Sequence, residues 1–119
     1  MILLNNNYYN ILKNELQLSD LEIKIFLLII NEGMRTLDQI SLNLFLDKLE
    51  CKKIIEKLMN KKMIIEYSDN LFETFHPKFA IINRYKNMCI TKKITFQKNV
   101  MIDNLASALE KSFDAARTK

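Results

Sequence analysis

Glycine and proline are almost missing from this 119-residue chain, which has one of each, and tryptophan is absent. Sheets, phosphate-cradling loops and long irregular connections all consume glycine and proline, so their scarcity favours a mostly helical fold. It also removes Gly-rich phosphate loops from consideration. Two cysteines, Cys51 and Cys89, make neither a disulfide framework nor a metal knuckle, which suits an intracellular, reducing setting. His76 is the only histidine and Cys51 is predicted inside a helix, so neither a metal set nor a Cys–His nucleophile pair is supported. Long apolar runs are missing too. The longest, residues 25–30, has the length of a buried helix segment and not of a membrane span, and Ile2-Leu3-Leu4 is too short for a secretory leader. The carboxylates form no recognisable acid/base pair in a polar cleft. The expectation is a protein that is not an enzyme, with no metal, no cofactor, no membrane partner and no evident small-molecule effector.

What is present is a run of helix starts. Ser19-Asp20-Leu21-Glu22, Thr36-Leu37-Asp38-Gln39 and Asp47-Lys48-Leu49-Glu50 each place a capping oxygen three residues before Glu or Gln. That spacing lets two side chains satisfy the orphan backbone donors of a first helical turn. The apolar periodicity predicts helices over residues 7–16, 20–32, 37–44 and 48–61. Leu18 and Ile23 are placed to close over the second helix as a staple. That second helix is apolar nearly all round and should be central, with Gly33 just past its end in the left-handed C′ position. Cys51, Ile54, Ile55 and Leu58 mark the inward stripe of the fourth.

Residues 63–67 and 71–75 read as two strands joined by the turn cluster Ser68-Asp69-Asn70. Tyr67, Phe72 and Phe75 are expected on the packed face of that hairpin, in preference to stacking on single-stranded bases. Pro77 suits the first position of a last helix, and His76 a structural place at the junction. From residue 78 to about residue 116 there is neither Gly nor Pro. Ile82, Tyr85, Cys89 and Phe96 follow one stripe; Ile102, Leu105, Leu109 and Phe113 follow another. The β-branched patch 90–96 permits a strand or a break, but a long kinked helix is the favoured reading. Its stripes would then need a partner, most simply the same helix of a second subunit. The predicted fold is mainly α: a winged helix-turn-helix over residues 1–77 with a short β-hairpin wing, and a long C-terminal dimerisation helix over residues 78–119.

Net charge is +4 with a pI near 9.1. The first 32 residues are net acidic, whereas residues 47–63 carry six lysines against three acids. Residues 77–99 hold Lys78, Arg84, Lys86, Lys92, Lys93 and Lys98 with no Asp or Glu. With the inward stripe of the fourth helix fixed, Leu49, Lys52, Lys53, Glu56 and Asn60 turn outward. Lys48, Lys52, Lys53 and Lys57, with Arg84 and Lys86, are the candidate contacts to double-stranded DNA, through phosphates or guanine edges. The segment 78–98 reads equally as a positive flank along the DNA backbone or as the polar face of a dimer helix.

Residues 16–80 resemble the DNA-binding domain of the TrmB-like archaeal transcriptional regulators. The likeness lies in residues 18–26 as the opening of the long helix, 36–41 as the helix before the turn, 48–64 as a recognition helix running into the wing, and 75–81 as the exit from the wing. The resemblance implies a homodimer that binds promoter DNA, and the expected location is the cytoplasm, in association with the nucleoid. Three features depart from the family pattern: Phe45 stands where a turn glycine is usual, Leu49 interrupts the recognition face, and the wing carries Glu66, Asp69 and Glu73 with no base. Two alternatives stay open. One is a winged-helix protein-interaction module in a transcription or chromosome-organising assembly; the other is an architectural DNA binder of little sequence preference.

Overall fold

The computed structural model describes residues 6–118; Ile2-Leu3-Leu4 and Asn5, the head of the asparagine tract, lie outside them. The fold is mainly helical with one small antiparallel sheet, in the order α1, α2, β1, α3, α4, β2, β3, α5, α6. Helix α1 (Asn6–Asn10) runs directly into a π-helical turn, Ile11–Glu15. Ile11, Leu12, Leu16 and Leu18 from this region are buried.

Helix α2 (Asp20–Glu32) begins with a complete capping box. The Glu22 N–H donates to Ser19 Oγ at 3.2 Å, and the Ser19 N–H donates to Glu22 Oε1 at 2.9 Å. Ile23, Ile25, Phe26, Ile29 and Ile30 are buried, and α2 touches α3, α4, α6 and the sheet, so it is the central element. Gly33 closes it by donating its N–H to the Ile29 carbonyl at 2.9 Å. Its φ of 90° with ψ of −176° is not the left-handed helical cap that the sequence suggests; it is a positive-φ extended conformation open essentially to glycine alone.

Strand β1 (Arg35–Thr36) is two residues long and was not foreseen from the sequence pattern. Thr36 also caps α3 (Leu37–Leu44) with a second complete box. Asp47 caps α4 (Lys48–Asn60) through the Glu50 N–H at 3.3 Å, without the reciprocal bond. The hairpin follows as β2 (Ile64–Ser68) and β3 (Leu71–Thr74), and the sheet order is β1-β3-β2. Phe72 pairs with Glu66 on one side and Arg35 on the other, and is buried. Phe75 is half-buried against Phe79, with ring centroids 5.2 Å apart. Tyr67 departs from the expected packed face. Ile64 points inward, so alternation turns residue 65 outward; Tyr67 then falls at the β-bulge between Glu66 and Ser68 and is exposed.

The C-terminal third corrects the expectation of one long kinked helix. Helix α5 (Pro77–Thr91) stops, residues 92–99 turn the chain, and α6 (Val100–Arg117) packs back on α5 and α2. The break is a Schellman motif built on a lysine. Lys93 adopts φ 58°, its N–H donates to the Ile90 carbonyl at 3.0 Å, and the Ile94 N–H donates to the Cys89 carbonyl at 2.9 Å. Asn99 Oδ1 then caps α6 by accepting from the Met101 and Ile102 N–H groups. The stripes assigned to a second subunit are consequently spent inside the chain. Cys89, Ile102, Leu105 and Leu109 are buried, and Ile82, Tyr85 and Phe113 are partly so. Of that set only Phe96 is exposed. One hydrophobic core takes residues from both sides of residue 77, from Leu12 and Phe26 to Leu105 and Leu109.

Candidate functional site

Helix α4 is amphipathic in the manner its spacing demands. Cys51, Ile54, Ile55 and Leu58 are buried, and burial fixes the opposite face in solvent. Leu49, Lys52, Lys53, Glu56, Lys57 and Asn60 are all exposed there. Lys52, Lys53 and Lys57 make no ion pair among the described residues, and the acids that share their helix are the exposed Glu50 and Glu56. Lys48 differs: its Nζ lies 2.9 Å from Asp38 on α3. That exposed pair closes the α3–α4 corner and withdraws Lys48 from the unpaired set.

The far end of α4 is anchored. Lys61 Nζ donates to the buried Glu22 carboxylate at 2.5 Å, which joins the exit of α4 to the first turn of α2. Burial pushes the Glu22 pKa up, but the hydrogen bonds from Lys61 and Ser19 outweigh it, and the carboxyl sits below its ordinary value. The Cys51 thiol is pushed up to about 11, by burial first and by the Glu50 charge second, so it is held as a neutral apolar filler of the core.

The corner itself is apolar. Phe45 occupies the left-handed region at φ 55° and is 94% exposed; Leu42 is 76% and Leu49 64% exposed. The Leu46 N–H donates to the Ser41 carbonyl at 2.9 Å and closes α3 without a glycine. Asp38, Ser41, Leu42, Phe45, Leu46 and Lys48 line an open cleft of about 510 Å³.

The basic segment after Pro77 does not form one free positive face, because α6 supplies acids that its own sequence lacks. Lys78 lies 3.5 Å from Glu110, and Lys98 lies 3.9 Å from Asp103. Arg84 departs further from the DNA-contact expectation. Its Nε donates to the Leu16 carbonyl at 3.0 Å, and burial lowers its pKa despite the charge of Glu22, so it ties α5 to the end of the π turn. Lys86 stays exposed over the Phe96 ring, 5.1 Å from its centroid. His76 accepts from the Lys78 N–H through Nδ1 and meets Glu110 at 3.1 Å through Nε2, a structural post at the strand-to-helix junction.

The hairpin acids are less forbidding than their sequence suggests. Glu66 accepts from the Asn70 N–H within the turn, and Glu73 is paired with Arg117 of α6. Sequence reasoning missed Arg117 altogether. It lies 44 residues from Glu73 and 87 from Ile30, whose carbonyl it also binds, and no local pattern reports such a contact.

Among the described residues no three His, Cys, Asp or Glu side chains gather to hold a metal ion, and no helix is long and apolar enough to cross a membrane. Comparison with known protein families, with curated proteins and with solved structures finds no match to this chain.

Proposed function

We propose that α3, the corner at Phe45, α4 and the β2–β3 hairpin form a winged helix-turn-helix, and that α4 enters the major groove of double-stranded DNA in a regulator of transcription. The observation that carries this reading is the unpaired set Lys52, Lys53 and Lys57 on the solvent face of the helix that follows the turn. In that docking mode, residues near the helix start reach base edges while lysines further along neutralise phosphates. Leu49 then has a use, because apolar side chains pack on the thymine methyl group. The regulator acts as a homodimer. With the α6 stripe spent inside the chain, the surface left for a second copy is the outer side of the α5–α6 pair, around Phe79, Ile82 and Phe96.

A gel-shift titration of the full chain against a pool of random duplexes tests the reading. A shift is expected at low salt, and Lys52→Glu with Lys53→Glu should abolish it or weaken it at least tenfold. The slope of log affinity against log salt should fall by about two. No shift at low salt, or an unchanged slope in the double variant, overturns it. The exposed Leu42, Phe45 and Leu49 favour a second reading, a protein-interaction module using the same corner. It predicts that Phe45→Ser abolishes a protein contact and leaves duplex affinity unchanged.

A further inference from the structure

The turn between α5 and α6 concentrates apolar exposure that neither the core nor the α4 face explains. Ile90, Ile94, Val100 and Met101 are all exposed within twelve residues, Ile90 at 73%. Lys92 and Lys93 stand among them, exposed and with no ion pair among the described residues. No acid occurs between Pro77 and Asn99, and the nearest beyond, Asp103, is already engaged by Lys98. The place is equally particular. Asn99 Nδ2 reaches the Tyr85 hydroxyl at 3.4 Å, which holds the turn at the head of α6, while Arg117 at its foot binds the end of α2 and the sheet. An 18-residue helix separates the two, so the turn projects roughly 27 Å from the sheet-side anchor.

We propose that this turn docks on an anionic membrane surface, with Ile94, Val100 and Met101 dipping into the headgroup–acyl boundary and Lys92 and Lys93 against the lipid phosphates. Charge complementarity selects the partner, because the tip presents lysine and aliphatic side chains and no acid. Duplex DNA would use the lysines but would leave the exposed Ile90, Ile94, Val100 and Met101 side chains largely without a partner. Single-stranded nucleic acid asks for several stacking aromatic faces, and the one aromatic here, Phe96, is edge-on to Tyr85 with Lys86 over its ring. The cleft beside the turn, lined by Tyr85, Phe96, Asn99 and Ile102, is about 200 Å³, too small to seat a partner helix. An interfacial anchor needs the combination found here, a few insertable apolar groups beside basic ones, and needs no membrane-spanning segment.

Flotation of the full chain with vesicles of phosphatidylcholine, alone or mixed with phosphatidylserine, tests it. Association is expected with the mixed vesicles only, and it should weaken as salt rises. Lys92→Gln with Lys93→Gln should lower the partition roughly 25-fold, at about fivefold per lysine, while thermal unfolding stays unchanged. The chain has no tryptophan, so Ile94→Trp gives a single reporter whose emission should shift to the blue on mixed vesicles. Failure to float with mixed vesicles at low salt overturns the proposal, as does equal binding to phosphatidylcholine alone. So does a double-lysine variant that loses duplex binding but not vesicle binding, which would assign the tip to DNA. Lys52→Glu with Lys53→Glu should leave flotation intact, which separates this outcome from that of the α4 reading.

Discussion

Glu22 shows how much one side chain can carry. Its backbone N–H and its carboxylate close the first turn of α2 on Ser19, and the same carboxylate receives Lys61 from the exit of α4. A buried carboxylate survives as an anion only where donors compensate the lost hydration, and here the compensation exceeds the cost, because its pKa falls below the ordinary value. The sign of the pH effect follows. With the folded pKa below the unfolded one, the unfolded state binds more protons in the acid range. The stabilisation is therefore complete above the ordinary glutamate value of about 4.3, and is lost as pH falls through the lower folded value. Glu22→Gln keeps the shape and the N-terminal box but removes the charge. It should cost about 2 kcal/mol at neutral pH. Urea unfolding from pH 7 into the acid range should show the wild-type and variant stabilities converging below pH 4, and parallel curves would refute the assignment.

Helix ends are where the glycine scarcity has its structural consequence. Gln17, Phe45, Lys62 and Lys93 all adopt positive φ at or just after a helix terminus, where glycine would be unstrained. Lys62 is the cleanest case. Its N–H donates to the Met59 carbonyl at 3.0 Å and the Met63 N–H to the Leu58 carbonyl at 3.1 Å, while its side chain is exposed. Lys62→Gly should stabilise the protein by about 0.5–1 kcal/mol, since relief of left-handed strain exceeds the extra entropy of an unfolded glycine. A higher urea midpoint at constant slope would confirm it, and a lower midpoint would not be compatible with strain at this residue. The same economy explains which elements can be read from the chain. The starts at Ser19, Thr36 and Asp47 are legible because caps are local, and the hairpin is legible because Ser68-Asp69-Asn70 interrupts two short alternating runs. The end of α5 is not, because a lysine at C′ looks like any solvent-facing helical residue, and a stretch without Gly or Pro then reads as one helix. β1 is too short to show alternation. The exposed lysines of α4 follow directly from the buried stripe opposite them. The place of Arg84 does not, because its acceptor lies 68 residues away.

Folding α6 back turns an expected interface helix into a wall of the core, and Arg117 is the rivet. Its Nη1 donates to the Ile30 carbonyl at 2.9 Å and to the Phe113 carbonyl at 3.1 Å, and its Nη2 donates to the Ile29 carbonyl at 3.0 Å. Nε donates to Glu73 of β3 at 3.2 Å, and the guanidinium lies 3.7 Å from the centroid of the Phe113 ring. Three elements that are distant in sequence thus meet on one planar cation, placed at the C-terminal end of α2 where positive charge is favoured. Both Arg117 and Glu73 are largely withdrawn from water, so deleting the arginine leaves a largely buried carboxylate without its cation and the Ile30 carbonyl without this donor, while the Ile29 carbonyl keeps the Gly33 N–H. Arg117→Ala should lower stability by about 3 kcal/mol, and Arg117→Lys should recover only part of it, because an ammonium cannot reproduce the planar fork. The two accounts of α6 separate on concentration. A helix that closes its own core loses stability by the same amount at every protein concentration, whereas one held mainly by a second subunit unfolds with a midpoint that moves with dilution. Urea unfolding of wild type and Arg117→Ala across a hundredfold range of concentration should therefore give a constant difference, and a difference that grows on dilution would return α6 to the interface.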